Sequence, residues 1–392
     1  MEISLKRIAS IDVFRALTML LMIFVNDFWT LTGIPDWLQH SEAHVDFLGF
    51  SDIIFPCFLF IVGMSIPFAI KARIAKGENN LQIIKHIVFR SIALLIMGFF
   101  TVNIPEMNAE ATGMSQSTFQ VSPVIGFFLI WNVYPKNQDS KKYLFIALQV
   151  LGVAILVFLI YKFRGGEKAE MMKPHWWGIL GLIGWTYLTC AILYLFFYKK
   201  TNLLIAVWVF LNLMSIAGHA GWLKSIWLNG PNDWILGNGA FSAFTFTGIL
   251  ATVLLERFYT ADKKVRLTFI YLGIGIVMLL LGFVLRKFFI ISKIYATPTW
   301  VFICCGVAFI TYAFIYWLVD LQHKAHWFNI IKPAGTSTLT CYLIPYIVYS
   351  FYVALPVSLT FGIVGLIKSM LFALLIIGIT ALLGKIGIKL KI

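Results

Sequence analysis

Histidine and carboxylate side chains are concentrated in one polar segment near the N-terminus, residues 27–52. It holds two of the seven histidines in the chain, His40 and His44, and three acids between its ends, Asp36, Glu42 and Asp46. An imidazole beside a carboxylate can act as a general base, because the carboxylate fixes the tautomer and stabilises the imidazolium. The two histidines could instead chelate a metal if the segment were helical, but no third ligand stands at a familiar spacing. A solvated polar loop is the third interpretation.

Two long apolar segments flank this loop, and each carries a polar side chain at its loop-facing end. Asn26 lies near the end of the first segment, and Asp52 opens the second. Since the loop joins these ends, chain connectivity brings an imidazole, an amide and a carboxylate into one region. At the far end of the first segment, Asp12 and Arg15 are three residues apart, so they share a helix face and fit an ion pair. Ionisable residues in or beside a membrane span are costly, which makes each of them a candidate functional residue.

The elements that position these residues follow from an unusually apolar composition. Of the 392 residues, 60% are hydrophobic and 12% are charged, and the mean hydropathy is +0.88. A soluble domain averages about 25% charged residues, and no soluble fold of this size hides so much apolar surface. These values exclude a soluble enzyme, a disordered protein and a secreted disulfide scaffold. They predict an all-α, polytopic transmembrane helical bundle.

A bilayer core of about 30 Å needs about 20 apolar residues per helix. By this criterion the chain forms a single membrane domain over residues 1–392, with ten to twelve spans and twelve as the best count. The predicted spans lie near residues 10–31, 51–70, 84–104, 118–134, 143–162, 176–198, 202–219, 239–256, 266–285, 299–319, 335–355 and 364–385. The N-terminal run has a basic start but no small-residue cleavage site, so we expect it to be retained as the first helix.

The net charge of +14 predicts how this bundle is oriented. Most connections that would face the cytoplasm with both termini inside carry Lys or Arg, whereas the first two outer connections, 32–50 and 105–117, carry none. This pattern favours an N-in and C-in topology. Two later outer connections disagree with it. Their basic residues are Lys162, Arg164, Lys168 and Lys173, and Arg286, Lys287 and Lys293. Short basic runs between spans indicate topology signals and lipid headgroup contacts rather than nucleic-acid binding.

Three runs near the N-terminus carry the motifs of a known family. They are IASIDVFRALTMLLMIFVND, WLQH and GFSDIIFPCFLFIVGMSIPF, all within residues 8–70. Together they resemble the opening of the transmembrane acetyltransferases typified by heparan-α-glucosaminide N-acetyltransferase. The residues that fit the family's motifs are Ser10, Asp12, Arg15, Asn26, His40, Asp52, Phe55, Pro56 and Gly63. A later run, IIKPAGTSTLTCYLIPYIV, resembles a C-terminal helix of the same family.

The resemblance implies an enzyme that passes an acetyl group from cytosolic acetyl-CoA to an amino sugar or glycan acceptor on the far side of the membrane. It implies His40 as the catalytic base or transient acetyl carrier, with Asn26 and Asp52 as polar partners. His44 stays an alternative, because the stretch from His40 to Asp52 is longer than in the animal enzymes. Inward-facing cations are expected to hold the phosphates of acetyl-CoA. The candidates are Arg15, Lys85 and Arg90.

The chain departs from the family pattern at two places. Ala16 replaces the usual glycine after Arg15, and the stretch GMSQSTF, residues 113–119, lacks the family's arginine. Some contacts to the acceptor or to CoA are therefore expected to differ. Asp12 and Pro56 are expected to have structural roles within the motif.

Other functions remain open at this point. A transporter or flippase would place charged residues such as Asp12, Arg15 and Asp52 along a pathway. A membrane acyltransferase that O-acetylates polysaccharides would share the donor and differ in the acceptor. A scaffold or sensor would be insensitive to the loss of His40. For the acetyltransferase we expect the plasma membrane of a bacterium, the polar loop on the periplasmic side, contacts with membrane lipids, a homodimer as a plausible assembly, and no metal.

Overall fold

The computed structural model describes residues 8–135, 139–223, 236–259, 264–351 and 356–392. Twelve principal helices follow one another along these residues. Their bounds are Ala9–Asn26 (α1), Ser51–Ala75 (α2), Asn80–Asn103 (α3), Gln116–Trp131 (α4), Lys142–Lys162 (α5), Gly178–Phe197 (α6), Thr201–His219 (α7), Ala240–Phe258 (α8), Lys264–Leu285 (α9), Pro298–Tyr316 (α10), Thr338–Ser350 (α11) and Gly362–Lys385 (α12). The described part of the chain contains isolated β-bridges but no β-sheet, which confirms the all-α prediction.

Ten of the helices in the described residues are long and apolar enough to cross a membrane. The chain is therefore a multi-pass integral membrane protein, as its composition predicts. The two shorter members of the series are α4, with 16 residues, and α11, with 13 residues. They lie in the predicted spans 118–134 and 335–355. Each of the twelve predicted segments thus contains a helix, but two of these helices are shorter than the roughly 20 residues that cross a bilayer core.

The helix α11 is short because the chain breaks at Ser337. The backbone there (φ −130°, ψ 44°) is not helical, and it separates α11 from a short helix, Lys332–Thr336. Residues 352–355, at the end of the predicted span, lie outside the described residues. A break inside an apolar segment exposes backbone groups that need partners within the protein. One such group, the carbonyl oxygen of Gly335, lies 3.5 Å from the guanidinium of Arg15.

The helices run antiparallel, so their connections gather at two opposite ends of the bundle. We call the end that carries residues 27–50 the loop end, and the end that carries both termini of the described chain the tail end. At the loop end, the Gly362 N–H donates to the Thr32 carbonyl at 2.9 Å, which places the start of α12 beside the end of α1. At the tail end, the Leu390 N–H donates to the Thr340 hydroxyl at 3.0 Å. Both termini thus share one end of the bundle, which the N-in and C-in topology requires.

The helix α2, which begins with Ser51 and Asp52, is the most enclosed of the long helices, with 72% of its apolar stretch buried. It crosses α8 closely because Gly63 has no side chain, and a Cβ there would collide with the Thr245 carbonyl oxygen. By contrast, α5 has 17% of its apolar stretch buried and turns most of its surface outward. A site at the start of α2 is therefore built on a rigid element, which favours precise positioning of side chains.

Candidate active site

The side chains of His40 and Asp52 are in direct contact at the loop end. The imidazole Nδ1 lies 2.7 Å from the carboxylate Oδ1. The Asp52 side chain is 1% exposed, whereas the His40 side chain is 47% exposed. One ring nitrogen thus faces a buried anion while the rest of the ring is accessible from outside. The catalytic role of this pair stays a prediction.

Backbone amides hold the Asp52 carboxylate in place. Its Oδ2 atom accepts hydrogen bonds from the Ser41 N–H at 3.0 Å and from the Gly49 N–H at 3.2 Å. Gly49 must lack a side chain, because a Cβ there would collide with the Gln39 carbonyl oxygen. Both carboxylate oxygens are therefore bonded, as the burial of an anion requires. The carboxylate is fixed in the orientation that faces His40.

Pro56 explains how the backbone of Asp52 is held. Proline has no N–H, so the Asp52 carbonyl, four residues earlier in α2, loses its helical hydrogen bond. The indole N–H of Trp300, a fully buried residue of α10, donates to this carbonyl at 3.1 Å instead. The motif proline and a distant tryptophan together fix the first turn of α2. Sequence reasoning did not identify Trp300.

The loop that precedes His40 is tied to the same turn of α2. The Ser51 hydroxyl donates to the Leu38 carbonyl at 2.6 Å, and the Phe50 N–H donates to the Trp37 carbonyl at 2.7 Å. These bonds hold the loop against the start of α2. They set the position of His40 through the backbone rather than through its own side chain.

Lys293, which sequence reasoning missed as a site residue, lies beside the His40–Asp52 pair. Its Nζ atom is 3.1 Å from Nδ1 of His40 and 3.7 Å from Oδ1 of Asp52. Burial lowers the pKa of Lys293, and the nearby carboxylate of Asp52 offsets only part of this effect. The available sequence signal was an excess of basic residues in an outer connection, residues 286–297, against the positive-inside rule.

A second acid–base pair joins the same two loops. The Asp46 carboxylate accepts hydrogen bonds from the Arg286 guanidinium at 2.9 Å and from the Ile291 N–H at 2.8 Å. Partial burial raises the pKa of Asp46, but these hydrogen bonds and the Arg286 charge outweigh it, so the pKa lies below its usual value. Arg286 and Lys293, which disagree with the charge rule, are thus paired with acids at the loop end.

His44 has a different environment from His40. The Tyr295 hydroxyl lies 3.1 Å from its Nδ1 and 3.0 Å from its Nε2. Next to it, the Ser292 hydroxyl donates to the Ala43 carbonyl at 2.8 Å. Within the described residues, the histidine of this loop that pairs with a carboxylate is His40. The geometry therefore favours His40 over His44 as a base.

Asn26 and Asp27 end α1 at the loop end. The Asn26 side chain is exposed, and within the described residues it makes no hydrogen bond to the other predicted site residues. Asp27 is buried and accepts hydrogen bonds from Lys368 at 2.7 Å, Ser369 at 2.6 Å and Tyr349 at 2.9 Å. These bonds tie the end of α1 to α11 and α12. They fix the backbone that presents Asn26.

Arg15 lies in the second turn of α1, and its side chain is partly buried. The ion pair with Asp12 that the sequence predicts is present, with 3.1 Å between Nη1 of Arg15 and Oδ1 of Asp12. Nη2 of Arg15 also donates to the Ser65 hydroxyl at 2.6 Å. Ser65 follows Asp52 by thirteen residues of α2, which corresponds to about 20 Å along the helix axis.

Arg90 lines a pocket of about 340 Å³ whose other lining residues include Ala69, Ile83 and Ile392, which lie toward the tail end. Its guanidinium lies 4.6 Å from the centre of the Tyr187 ring, and its buried Nε atom has no hydrogen-bond partner in the described structure. Arg73 lines the same pocket but is paired with Glu78 at 2.9 Å. Lys85 is exposed and lies outside the pocket lining. Of the predicted CoA-binding cations, Arg90 therefore has an unsatisfied donor beside a cavity.

The arrangement at the loop end supports acid–base chemistry. A carboxylate oxygen and a ring nitrogen 2.7 Å apart need a proton between them, so we assign Nδ1–H of His40 as the donor to Asp52. Nε2 then carries the lone pair and can accept a proton from a ligand. Within the described residues, no group of three His, Cys, Asp or Glu side chains is arranged to hold a metal ion.

Residues 7–255 match a family model described as a domain of unknown function, DUF5009. A segment of 101 residues is 35% identical to the heparan-alpha-glucosaminide N-acetyltransferase of Mus musculus, and it covers 26% of this chain and 14% of the mouse protein. A segment of 97 residues is 31% identical to the Homo sapiens protein of the same name, and it covers 25% of this chain and 14% of the human protein. The matches thus span a small part of both relatives.

Proposed function

Because the chain belongs to the DUF5009 family and is a relative of heparan-alpha-glucosaminide N-acetyltransferase, as its motifs predict, we propose that it is a membrane-bound acetyltransferase. The donor is acetyl-CoA, and the acceptor is an amine of a sugar or glycan at the loop end. The observation that carries the proposal is the 2.7 Å contact between the exposed His40 and the buried Asp52. It supplies a general base, which the attack of an amine on a thioester requires.

In the proposed reaction, the amine nitrogen attacks the carbonyl carbon of the thioester. As the C–N bond forms, Nε2 of His40 takes a proton from this nitrogen. As the C–S bond breaks, the same proton passes to the sulfur of CoA. Asp52 stabilises the imidazolium between these steps. In a two-step alternative, Nε2 is itself the nucleophile, and the C–S bond breaks as the N–C bond forms, so that CoA leaves as its thiolate. The acetyl group stays on His40 until the acceptor amine displaces the imidazole, and the proton that the amine loses neutralises the thiolate.

Asn26 is the residue we propose for stabilising the tetrahedral intermediate. Negative charge develops on the carbonyl oxygen of the thioester, and a side-chain amide aimed at that oxygen stabilises it more than it stabilises the substrate. The exposed side chain of Asn26 lies at the loop end, where α1 finishes. The bonds made by Asp27 give it a rigid base.

The donor is proposed to enter from the tail end, because two partly buried cations, Arg15 and Arg90, lie between that end and the middle of the bundle. Ser65, which accepts a hydrogen bond from Arg15, lies about 20 Å along α2 from the loop-end terminus of that helix. Arg90 lies about 20 Å along α3 from the loop-end terminus of α3. The arm of CoA between pyrophosphate and thioester has about as many chain atoms as four extended residues, and it reaches roughly 14 Å. The side chains of His40 and the arginines cover the remaining distance.

Arg15 and Arg90 are therefore the residues we propose for holding the phosphates of acetyl-CoA. Lys85 precedes Arg90 by five residues, which places it about 8 Å closer to the tail end. Its exposed ammonium suits the attraction of an anion toward the pocket rather than its final binding.

The acceptor is proposed to carry a sugar ring, because exposed aromatic side chains lie at the loop end, and its reacting group is proposed to be an amine by similarity to the N-acetyltransferases. Trp29 and Trp37 are 64% and 58% exposed, and the flat face of an indole packs well against the apolar face of a sugar ring. A hydroxyl of a polysaccharide is the alternative acceptor, since His40 could take its proton in the same way. We propose that the loop end faces the periplasm of a bacterium, that the tail end faces the cytosolic acetyl-CoA, and that membrane lipids surround the apolar helices.

Proteoliposomes test this proposal. Radiolabelled acetyl-CoA is supplied on one side of the membrane and glucosamine on the other, and the orientation of the protein is read from the protease sensitivity of a C-terminal tag. Labelled N-acetylglucosamine is expected when the donor is on the tail-end side and the acceptor is on the loop-end side. If a polysaccharide supplied as acceptor is labelled and glucosamine is not, the protein is still an acetyltransferase, but its acceptor is a polysaccharide. Uptake of the sugar without acetyl transfer would favour a transporter instead.

A further inference from the structure

We infer that Lys293 is a positioning residue that keeps His40 neutral by balancing the charge of Asp52. The inference rests on the proposed function, because it concerns the readiness of His40 to act as a base. The Nζ atom of Lys293 lies 3.1 Å from Nδ1 of His40 and 3.7 Å from Oδ1 of Asp52. It is therefore placed on the side of the ring that faces the carboxylate, away from the nitrogen that meets the substrate.

The charges of the three groups explain the effect. A buried carboxylate beside an imidazole favours the imidazolium, because the resulting ion pair neutralises the buried anion. An imidazolium cannot accept a proton from an acceptor amine. With the Lys293 ammonium in place, the charge of Asp52 is already balanced, and a proton added to His40 would lie close to a cation. The neutral imidazole is the form that this arrangement favours at rest.

The same balance acts during the reaction. When Nε2 of His40 takes the proton from the amine, the imidazolium lies between an anion and a cation. The charge of Asp52 lowers the free energy of the imidazolium enough for it to form during the reaction. The charge of Lys293 raises that free energy, so the imidazolium is not the resting form. The proton is then released readily to the sulfur of CoA. A general base works best when its proton affinity is neither too low nor too high.

The other charged and titratable groups near His40 do not provide this balance. Asp52 from α2 and Lys293 from the connection between α9 and α10 contact His40 directly. The buried thiol of Cys304 in α10 lies near Asp52 and Lys293, and it is not a cation. His44 and Asp46 belong to the same loop as His40, but their own contacts are with Tyr295 and Arg286. The charge of Asp46 is balanced by Arg286 at 2.9 Å, and His44 contacts a tyrosine hydroxyl. Lys293 is thus the cation that acts directly on His40 within the described structure.

Carbethoxylation by diethyl pyrocarbonate tests this inference without relying on acetyl transfer. The reagent modifies neutral imidazole, so its rate at His40, followed by mass spectrometry of the peptide between about pH 5 and pH 8, reports the protonation state. In Lys293→Met, the midpoint of this titration is expected to move to higher pH by about 1 unit or more, because a charge within about 4–6 Å has effects of this size. Lys293→Arg retains the charge and is expected to keep the wild-type midpoint.

Lys287→Met is the matched control, because it removes a positive charge from an exposed position of the same connection. It is expected to leave the midpoint unchanged. In Lys293→Met the acid limb of the pH–rate profile of acetyl transfer should move together with the midpoint. If Lys293→Met does not fold, Lys293→Gln replaces it, with the same expected shift.

An unchanged midpoint in a folded variant without the Lys293 charge would overturn the inference, whether that variant is active or not. An equal shift in Lys287→Met would also overturn it, since the shift would then come from the overall positive charge of the connection and not from the contact of Lys293 with His40. A midpoint that moves as expected in a protein without acetyl transfer would support the charge balance and contradict the proposed function.

Discussion

Nδ1 of His40 lies 2.7 Å from Oδ1 of Asp52, although twelve residues separate them in the chain. The contact is built by the backbone rather than by the two side chains alone. Bonds from Ser41 and Gly49 orient the carboxylate, and Trp300 holds the carbonyl that Pro56 leaves free. A base positioned in this way has little freedom to lose when a substrate binds.

Asp52→Asn tests whether the carboxylate sets the tautomer of His40. An amide can present its N–H to Nδ1 and so favour the Nε2–H tautomer, which cannot accept a proton. We expect kcat for acetyl transfer to fall by a factor of about 10²–10⁴. Asp36→Asn changes an exposed acid of the same loop and should keep the wild-type kcat. Equal losses in both variants would argue against a specific role for Asp52.

Trp300→Phe should destabilise the protein, because the Asp52 carbonyl loses its donor. A buried polar group left without a partner costs about 1–3 kcal/mol. Pro56→Ala restores an N–H that can donate to the same carbonyl. In a double-mutant cycle measured by thermal unfolding in detergent, the loss of Tm caused by Trp300→Phe should be smaller in the Pro56→Ala background. The same loss in both backgrounds would mean that the indole N–H does not act through this carbonyl.

Arg15→Gln should weaken the binding of acetyl-CoA. A hydrogen bond to a charged group contributes about 1.5–3 kcal/mol, so KM for acetyl-CoA is expected to rise about tenfold or more, with a smaller change in kcat. Lys76→Gln removes an exposed charge at the tail end and serves as the control. A fall in kcat at unchanged KM would assign Arg15 to the structure of the bundle instead.

Asp27→Asn should lower the stability of the protein. Asp27 is buried and pairs with Lys368 at 2.7 Å, and removing one partner of a buried ion pair costs about 3–5 kcal/mol because the other charge is left uncompensated. The measurement is the Tm in detergent. Adding Lys368→Met should recover part of the loss, since it removes the stranded cation. A Tm equal to that of the wild type in Asp27→Asn would contradict this assignment.

The helical segments were predictable because each is a long apolar run, and the bilayer sets its length. The break at Ser337 was not, because the small and hydroxyl residues of 335–341 fit the start of one continuous predicted span, 335–355. The chain opens there in the folded protein, where Gly335 meets Arg15 of α1. That is a tertiary contact, and no local pattern encodes it.

The part of the site that comes from neighbouring segments of the chain was predictable from the sequence. Connectivity alone brings His40 and Asp52 to the same end of two adjacent helices. Lys293 and Trp300 lie about 250 residues away, in the connection before α10 and in α10 itself, and the position of both depends on the packing of the whole bundle. The unusual charge of the outer connection was a real signal, but its meaning depended on knowing which acids it faces.

The most direct test of the central claim is the initial rate of acetyl transfer to glucosamine by wild type, His40→Ala and His44→Ala in liposomes. The structure pairs His40 with a buried carboxylate and His44 with a tyrosine hydroxyl. We therefore expect His40→Ala to lose a factor of about 10²–10⁴ in rate and His44→Ala to retain most of its activity. A loss confined to His44→Ala, or full activity in His40→Ala, would contradict the assignment of His40 as the base.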